Sequence, residues 1–329
     1  MKRYCRIISG QTISGLAMLA LTMAWPVAAR AADWPSRTVT IVVPFAPGGS
    51  TDITARLLAK GLADLLKQSF IVKNEGGAGG IVGTQTVIKA APDGHTLLLT
   101  SAAIAITPHL NKLPYDPAKD LAPIGRMIEN HGVILVGMSS PYKTVGSLFE
   151  AMKAKPGALT YGSAGHGSGT HLWVAGMLHK AGLNAVHVPY KGAGPAKAAA
   201  ISGEVDFISD AVGAAMGQVN DKALRALAVL SKERDPFLPD VPTLAETVLP
   251  DFDFGSWLAM FAPAGTPPET VAAINKALRQ ALEMPETKAV IQQQGLIAAP
   301  SSPEELAAVM KADGAWYGEL IKAAGLTAQ

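Results

Sequence analysis

From Val39 onward the chain repeats one pattern: a short apolar run, a glycine-rich turn, then a segment whose apolar residues recur every three or four positions. Val39-Thr40-Ile41-Val42-Val43-Pro44-Phe45 reads as a strand buried on both faces. Ala46-Pro47-Gly48-Gly49-Ser50-Thr51 reads as a turn, and Ile53, Leu57, Leu58, Leu62, Leu65 and Leu66 share one helical face. Phe70-Ile71-Val72 predicts the next strand, Ile81 to Ala90 the next helix and Thr96 to Thr100 a third strand. Strands alternating with helices predict a parallel α/β sheet.

A second series follows Pro123, with strands expected near Gly132–Met138, Ala158–Tyr161, Val186–Pro189, Val205–Ile208 and Leu224–Leu230. Helices fall between them at Val145–Ala154, Gly169–Ala181, Ala193–Ser202 and Val212–Asn220. Beyond Pro239 there is one strand, Trp257–Phe261, and then helices at Pro267–Leu282, Glu286–Gln294 and Pro303–Ile321 with no complete sheet of their own. They are expected to return and cover the first sheet. Two α/β lobes joined by two crossings, near residues 125–132 and 240–256, make a clamshell with a cleft. Ligands of such sheets bind beyond the carboxyl ends of the strands, which points at the turns after Phe45, Thr100, Tyr161, Tyr190 and Ile208.

The first residues change the picture of where the chain works. Lys2, Arg3 and Arg6 precede an apolar run from Ile7 to Ala24, and Ala29-Arg30-Ala31 follows as a cleavage signal. That is a secretory leader. Ser9, Gln11, Thr12 and Ser14 interrupt the run, which argues against a membrane anchor, and Cys5 lies before it, where no lipoprotein cysteine would be. The expected organisation is a signal peptide over 1–31, a first lobe from 32–128 plus 250–329, and a second lobe from 129–249. The expected location is the periplasm.

Charge excludes more than it suggests. The 329 residues carry 28 Lys and Arg against 26 Asp and Glu, a net charge of +2 with no block of one sign, so no nucleic-acid partner is expected. Losing Lys2, Arg3, Arg6 and Arg30 with the leader turns the balance slightly acidic. With Cys5 alone, internal disulfides and multi-cysteine metal clusters are excluded.

Pro47-Gly48-Gly49-Ser50-Thr51-Asp52 sits between a strand and a helix, where the first N–H groups of the helix lack partners and attract anions. The same residues also suit a plain turn capped by Ser50, Thr51 or Asp52. Asp52, an awkward neighbour for an anion, is expected to cap the helix or turn toward the protein. Tyr161-Gly162-Ser163-Ala164-Gly165-His166-Gly167-Ser168-Gly169-Thr170-His171 repeats the logic in the second series. His171, in a first helical turn, is expected to stay neutral through the helix dipole and to hydrogen-bond rather than catalyse. Two sets of neutral donors facing each other suit a carboxylate.

Enzyme motifs are mostly missing. There is no P-loop and no Gly-x-Ser-x-Gly elbow, and Gly77-Ala78-Gly79-Gly80-Ile81-Val82-Gly83 has Val82 where a dinucleotide fingerprint needs its third glycine. The seven histidines never form an H-E-x-x-H or an i, i+4 pair, so no metal and no cofactor are expected.

Taken together the motifs resemble the substrate-binding proteins of tripartite tricarboxylate transporters, the Bordetella uptake gene or Bug family. The resemblance rests on Trp34-Pro35 and the run Ile41 to Asp52, Asn74 to Gly80, Pro92 to Thr96, Tyr161 to His171, Val188 to Gly192, Gly203 to Asp206, Leu224 to Val229 and Pro263 to Pro267, in order along the chain. It implies an α/β, two-lobed, periplasmic-binding-protein-like (Venus flytrap) fold with two interdomain crossings, and a monomer that presents a small carboxylate to membrane permease subunits. By position it implies ligand contacts at Phe45, Gly48, Gly49, Ser50 and Thr51 in one lobe and at Ser163, Gly165, His166, Gly167, Ser168, Gly169 and Thr170 in the other. Ser101 and Asp210 fall where the family faces the ligand's far end, although Asp210-Ala211 departs from the frequent Asp-Asn pair. A sensor module for a membrane kinase would use the same clamshell. A hydrolase using Ser163 or Ser168 with His166 or His171 is the enzyme alternative.

Overall fold

The computed structural model describes residues 34–323, so the expected leader and its cleavage site lie outside the described residues. Strand β1 (Val39–Val43) is β-branched and buried on both faces, so it sits inside a sheet. Helix α1 (Ser50–Leu66) buries Ala55, Leu58, Ala59 and Leu62 against it and ends on Lys67 in the left-handed region. Then come β2 (Phe70–Asn74), α2 (Ile81–Ile88), β3 (Thr96–Ser101), α3 (Ala103–Leu110) and α4 (Pro117–Asp120). The next element, β4 (Leu121–Gly137), is the longest strand. The second series is α5 (Val145–Ala154), β5 (Thr160–Ser163), α6 (Gly169–Ala181), β6 (Val186–Pro189), α7 (Ala193–Ser202), β7 (Phe207–Ala211), α8 (Val212–Asn220) and β8 (Leu224–Val229). The chain closes with α9 (Leu244–Thr247), β9 (Gly255–Pro263), α10 (Pro268–Glu283), α11 (Pro285–Gln293), β10 (Ile297–Ala298) and α12 (Pro303–Ala323).

The strands run in the order β2-β1-β3-β9-β4-β7-β5-β6, with β8 and β10 also pairing with β4. Pairs within β1–β3 and within β5–β7 are parallel, as the alternation of strands and helices predicts. Every pairing of β9 and β4 is antiparallel, so the sheet is mixed. The fold is α/β and two-lobed, with a family of strands on either side of β4.

The first crossing, expected as a connector over 125–132, is instead the middle of β4. Residues 121–131 pair with β9, and residues 132–137 pair with β7 and β8. Its apolar residues Ile124, Met127 and Ile128 are fully buried. Arg126, Glu129, Asn130 and His131 between them disguise it as a linker. Helix α3, unpredicted because Pro108 lies inside it, packs against α12. Helix α12 ties the halves together. Leu306, Val309 and Met310 join the core of β1, β3 and β9, whereas Tyr317, Leu320 and Ile321 enter the core built around Phe149, Trp173 and Phe207. The described residues 34–323 accordingly form one compact unit, and the end of α12 does not pack with the lobe to which the sequence assigns it.

The halves also meet backbone to backbone where Gly213, in the first turn of α8, abuts Gln294 and Gly295 after α11. A Cβ on Gly213 would lie 2.2 Å from the Gln294 carbonyl oxygen. Gly213→Val is therefore expected to destabilise the fold by about 1–3 kcal/mol, as overpacking does. Denaturant unfolding checks it, and wild-type stability would mean that the contact yields freely.

Candidate functional site

The turn after β1 is arranged as an open helix N-terminus. Gly49 occupies the N-cap in extended conformation (φ −82°), and no side chain caps the end. The first intrahelical bond runs from the Ile53 N–H to the Gly49 carbonyl at 3.0 Å, so the N–H groups of Ser50, Thr51 and Asp52 point out of the helix. Gly48 takes φ +88°, a left-handed conformation that favours glycine. Its N–H donates to Asp52 Oδ2 at 2.9 Å.

Asp52 turns toward the protein, the second of its two expected roles. It is 4% exposed and accepts from Arg56 Nε at 3.1 Å and Asn74 Nδ2 at 3.0 Å. Burial raises its pKa, but the hydrogen bonds from Arg56, Gly48 and Asn74 and the Arg56 charge outweigh that and hold the carboxyl below its usual range. Its charge is thus balanced inside the brace, and Asn74 Nδ2 also reaches the Phe45 carbonyl oxygen.

A cavity of about 330 Å³ opens over this turn. Phe45, Gly49, Ser50, Thr51 and Ser101 line it, five of the residues the sequence singles out. Ala46 and Asp52 line it as well, and so do Asn130, Ser256, Trp257, Leu258 and Leu296, which the sequence reading missed as site residues. Asn130 and Ser256 lay in segments read as connectors. They are directly opposed in the β4–β9 pairing, a neighbourhood that no spacing along the chain reveals. Gly48 is not among the lining residues; it braces the turn through Asp52.

The second turn is not in that cavity and is organised differently. Its hydroxyls and amides mostly serve one another. The Ser163 hydroxyl bonds the Gly165 main chain, Thr170 Oγ1 accepts from the Ala164 N–H at 2.9 Å, and Ser168 Oγ donates to the Gly165 carbonyl at 2.7 Å. Ser168 is also the N-cap of α6, accepting from the His171 N–H. The main-chain donors of His166, Gly169 and Thr170 are left for anything beyond the turn.

Beside it the structure assembles three imidazoles that the sequence keeps apart. Ring nitrogens of His166, His171 and His187 lie within 4.8 Å of one another. The His171 and His187 rings stack 3.8 Å apart and 4° from parallel, so a metal about 2.1 Å away in one ring plane cannot also lie in the other. His171 Nδ1 accepts from the Gly167 N–H at 3.0 Å, which requires the neutral ring. Its pKa is lowered to about 4, through burial first and then through His187 and His166, rather than through the helix dipole.

Asp210 lies apart from that cavity. It is buried at the end of β7, with Oδ1 accepting from the Ala211 N–H at 2.8 Å and Oδ2 3.1 Å from Lys197 Nζ. Lys197 Nζ donates to the Ala214 carbonyl at 2.8 Å, so its contact with Asp210 is an ion pair rather than a hydrogen bond.

The β4–β9 ribbon also borders a second cavity of about 430 Å³, which shares Ser256 and Trp257 with the first. Arg126, Glu129, His131, Lys232, Asp253 and Asp313 line it. Arg126 pairs with Glu129. Burial would lower the pKa of His131, but Asp235 at 3.1 Å and Glu129 at 3.8 Å push it up to about 9.

A family model described as the tripartite tricarboxylate transporter family receptor matches residues 54–326. The chain belongs to that receptor family. The match covers most of the chain, and the sequence resemblance agrees with it. BugT of Bordetella pertussis is 33% identical, covering 89% of this chain and 90% of BugT. An R. palustris protein solved with adipate is 31% identical with a TM-score of 0.74, covering 90% of this chain and 100% of that one. MatC from Rhodopseudomonas palustris, solved with bound malate, is 33% identical with a TM-score of 0.69, covering 87% and 99%. A tripartite tricarboxylate receptor is a solute-binding protein, and the cavity beside an uncapped helix N-terminus is chemistry of that kind.

Proposed function

We propose that this receptor captures a small organic carboxylate in the periplasm and delivers it to the permease of a tripartite tricarboxylate transporter, without chemical turnover. The observation that carries the reading is the N-terminus of α1, uncapped and aimed into a cavity lined by Gly49, Ser50, Thr51 and Ser101. Three main-chain N–H groups at the positive end of a helix dipole favour an anion. Hydrogen bonds to a charged group contribute about 1.5–3 kcal/mol each. The relatives solved with adipate and malate hold carboxylates, in keeping with that chemistry. The second turn adds its remaining donors from the other lobe.

A thermal-shift screen of carboxylates tests the proposal. A ligand at a hundredfold excess over its dissociation constant is expected to stabilise the protein by ~2.7 kcal/mol. A shift with sugars or cationic amines alone would overturn it.

A further inference from the structure

We infer, resting on the carboxylate reading above, that Asp313 of α12 is a positioning residue of the ligand cavity, acting through the indole of Trp257. Trp257 stands between Ser256 and Leu258 on β9, and these three consecutive residues line the cavity over the α1 turn. It is 4% exposed, and it borders the second cavity as well. Its main chain is tied to the end of β3, where its carbonyl accepts from the Ala102 N–H at 3.1 Å, next to Ser101 of the same cavity. Its side chain has one polar atom, and that atom reaches α12: Nε1 donates to Asp313 Oδ2 at 2.7 Å. The apolar contacts that Trp257 makes in the core with Leu98, Leu306 and Val309 hold the ring without choosing its direction. The hydrogen bond chooses it.

Asp313 is poorly placed as a source of stability. Burial pushes its carboxyl up, the Trp257 hydrogen bond and the Arg126 charge pull it down, Asp253 pushes it up again, and the balance lies above the ordinary carboxylate value. Arg126, which lines the second cavity with it, is paired with Glu129. A bond from one neutral donor therefore offsets only part of the cost of taking the carboxylate out of water. A leucine there would avoid that cost and would leave the indole without an anchor. The anchor also has a particular place on α12. Asp313 lies between Leu306, Val309 and Met310, which enter the core of β1, β3 and β9, and Tyr317, Leu320 and Ile321, which enter the core around Phe149, Trp173 and Phe207. The wall of the ligand cavity is thus fixed to the helix that joins the two halves.

Calorimetry with malate, adipate, hexanoate and benzoate, together with melting temperatures, tests this. Asp313→Leu is expected to bind the acids that the natural protein binds about tenfold more weakly, a loss of ~1.4 kcal/mol, while melting within about 3 °C of it. Asp313→Asn, whose carboxamide oxygen still accepts from the indole, is expected to keep the natural affinity. Trp257→Phe, which retains an aromatic ring and removes the N–H, is expected to weaken binding, and Asp313→Leu to add nothing in that background, because both changes remove the same bond. Should Asp313→Leu fold poorly, Trp257→Phe and Asp313→Asn carry the test. Natural affinity in Asp313→Leu or Trp257→Phe, an Asp313→Asn protein that binds as weakly as Asp313→Leu, or losses that add in the double variant overturn the inference and leave the carboxylate reading standing. Binding of none of the four acids by the natural protein overturns both.

Discussion

Gly49→Val is expected to fold as the natural protein does and to bind carboxylates at least a hundredfold more weakly, a loss of ~2.8 kcal/mol. Both halves of that expectation come from local geometry. Gly49 has φ −82°, which any residue adopts, and a Cβ built there meets no atom within 4 Å. The empty protein therefore has room for the new side chain. The room is the cavity itself, in front of the N–H groups of Ser50, Thr51 and Asp52, so the isopropyl group stands where an anion would approach them. Gly48 is the wrong residue for this experiment, because its φ of +88° would strain any side chain and mix stability with binding. Calorimetry with melting temperatures decides the matter: unchanged melting with normal affinity would remove the α1 N-terminus as the anion site.

Acid is expected to destabilise the protein between pH 6.5 and about 4, by up to about 3 kcal/mol from His171 alone. His171 is 4% exposed, stacked on His187, and neutral in accepting from Gly167. The unfolded chain protonates it near 6.5 and the folded chain only near 4, so within that window the unfolded state binds more protons and stability falls as pH falls. The contribution is fully present above 6.5. His131 has the opposite sign: held up to about 9 by Asp235 and Glu129, it stabilises below 6.5 and its contribution is lost as pH rises through 9. His171→Asn keeps an acceptor for the Gly167 N–H and removes the titration. Urea unfolding at pH 7 and pH 4.5 should show a smaller pH difference in this variant, and an equal difference would mean that the imidazole stack is no acid-sensitive element.

The parts legible in the sequence are those where local pattern and tertiary role coincide. Val39–Val43 is β-branched and buried on both faces, and the Gly48-Gly49-Ser50-Thr51 turn needs only its place between strand and helix to announce an open N-terminus. Where two distant segments share a role, the signal disappears. Asn130 and Ser256 look like linker residues until β4 and β9 pair. The three histidines lie 5 and 16 positions apart and meet only because β5 and β6 are neighbours. The second turn misleads in a different way. Its serines and threonine suggest free donors, but Ser163, Ser168 and Thr170 are mostly turned inward to hold a glycine-rich loop in shape. Composition tells which groups are present and not which are already engaged.

The unbroken run of β4 through both lobes bears on how the molecule moves. A loop hinge goes slack, and its two bodies swing freely between stops. Here the first of the two crossings is a strand that stays hydrogen-bonded to β9 on one side of the junction and to β7 and β8 on the other. Motion of one lobe against the other must then be taken up as added twist spread along a ribbon, in the manner of a torsion spring, with a restoring force at every angle. The register shifts at Pro123/Gly125, Arg126/Ile128 and Ile134/Leu135 are the compliant places in that spring. Such a joint returns to one resting angle when it is unloaded.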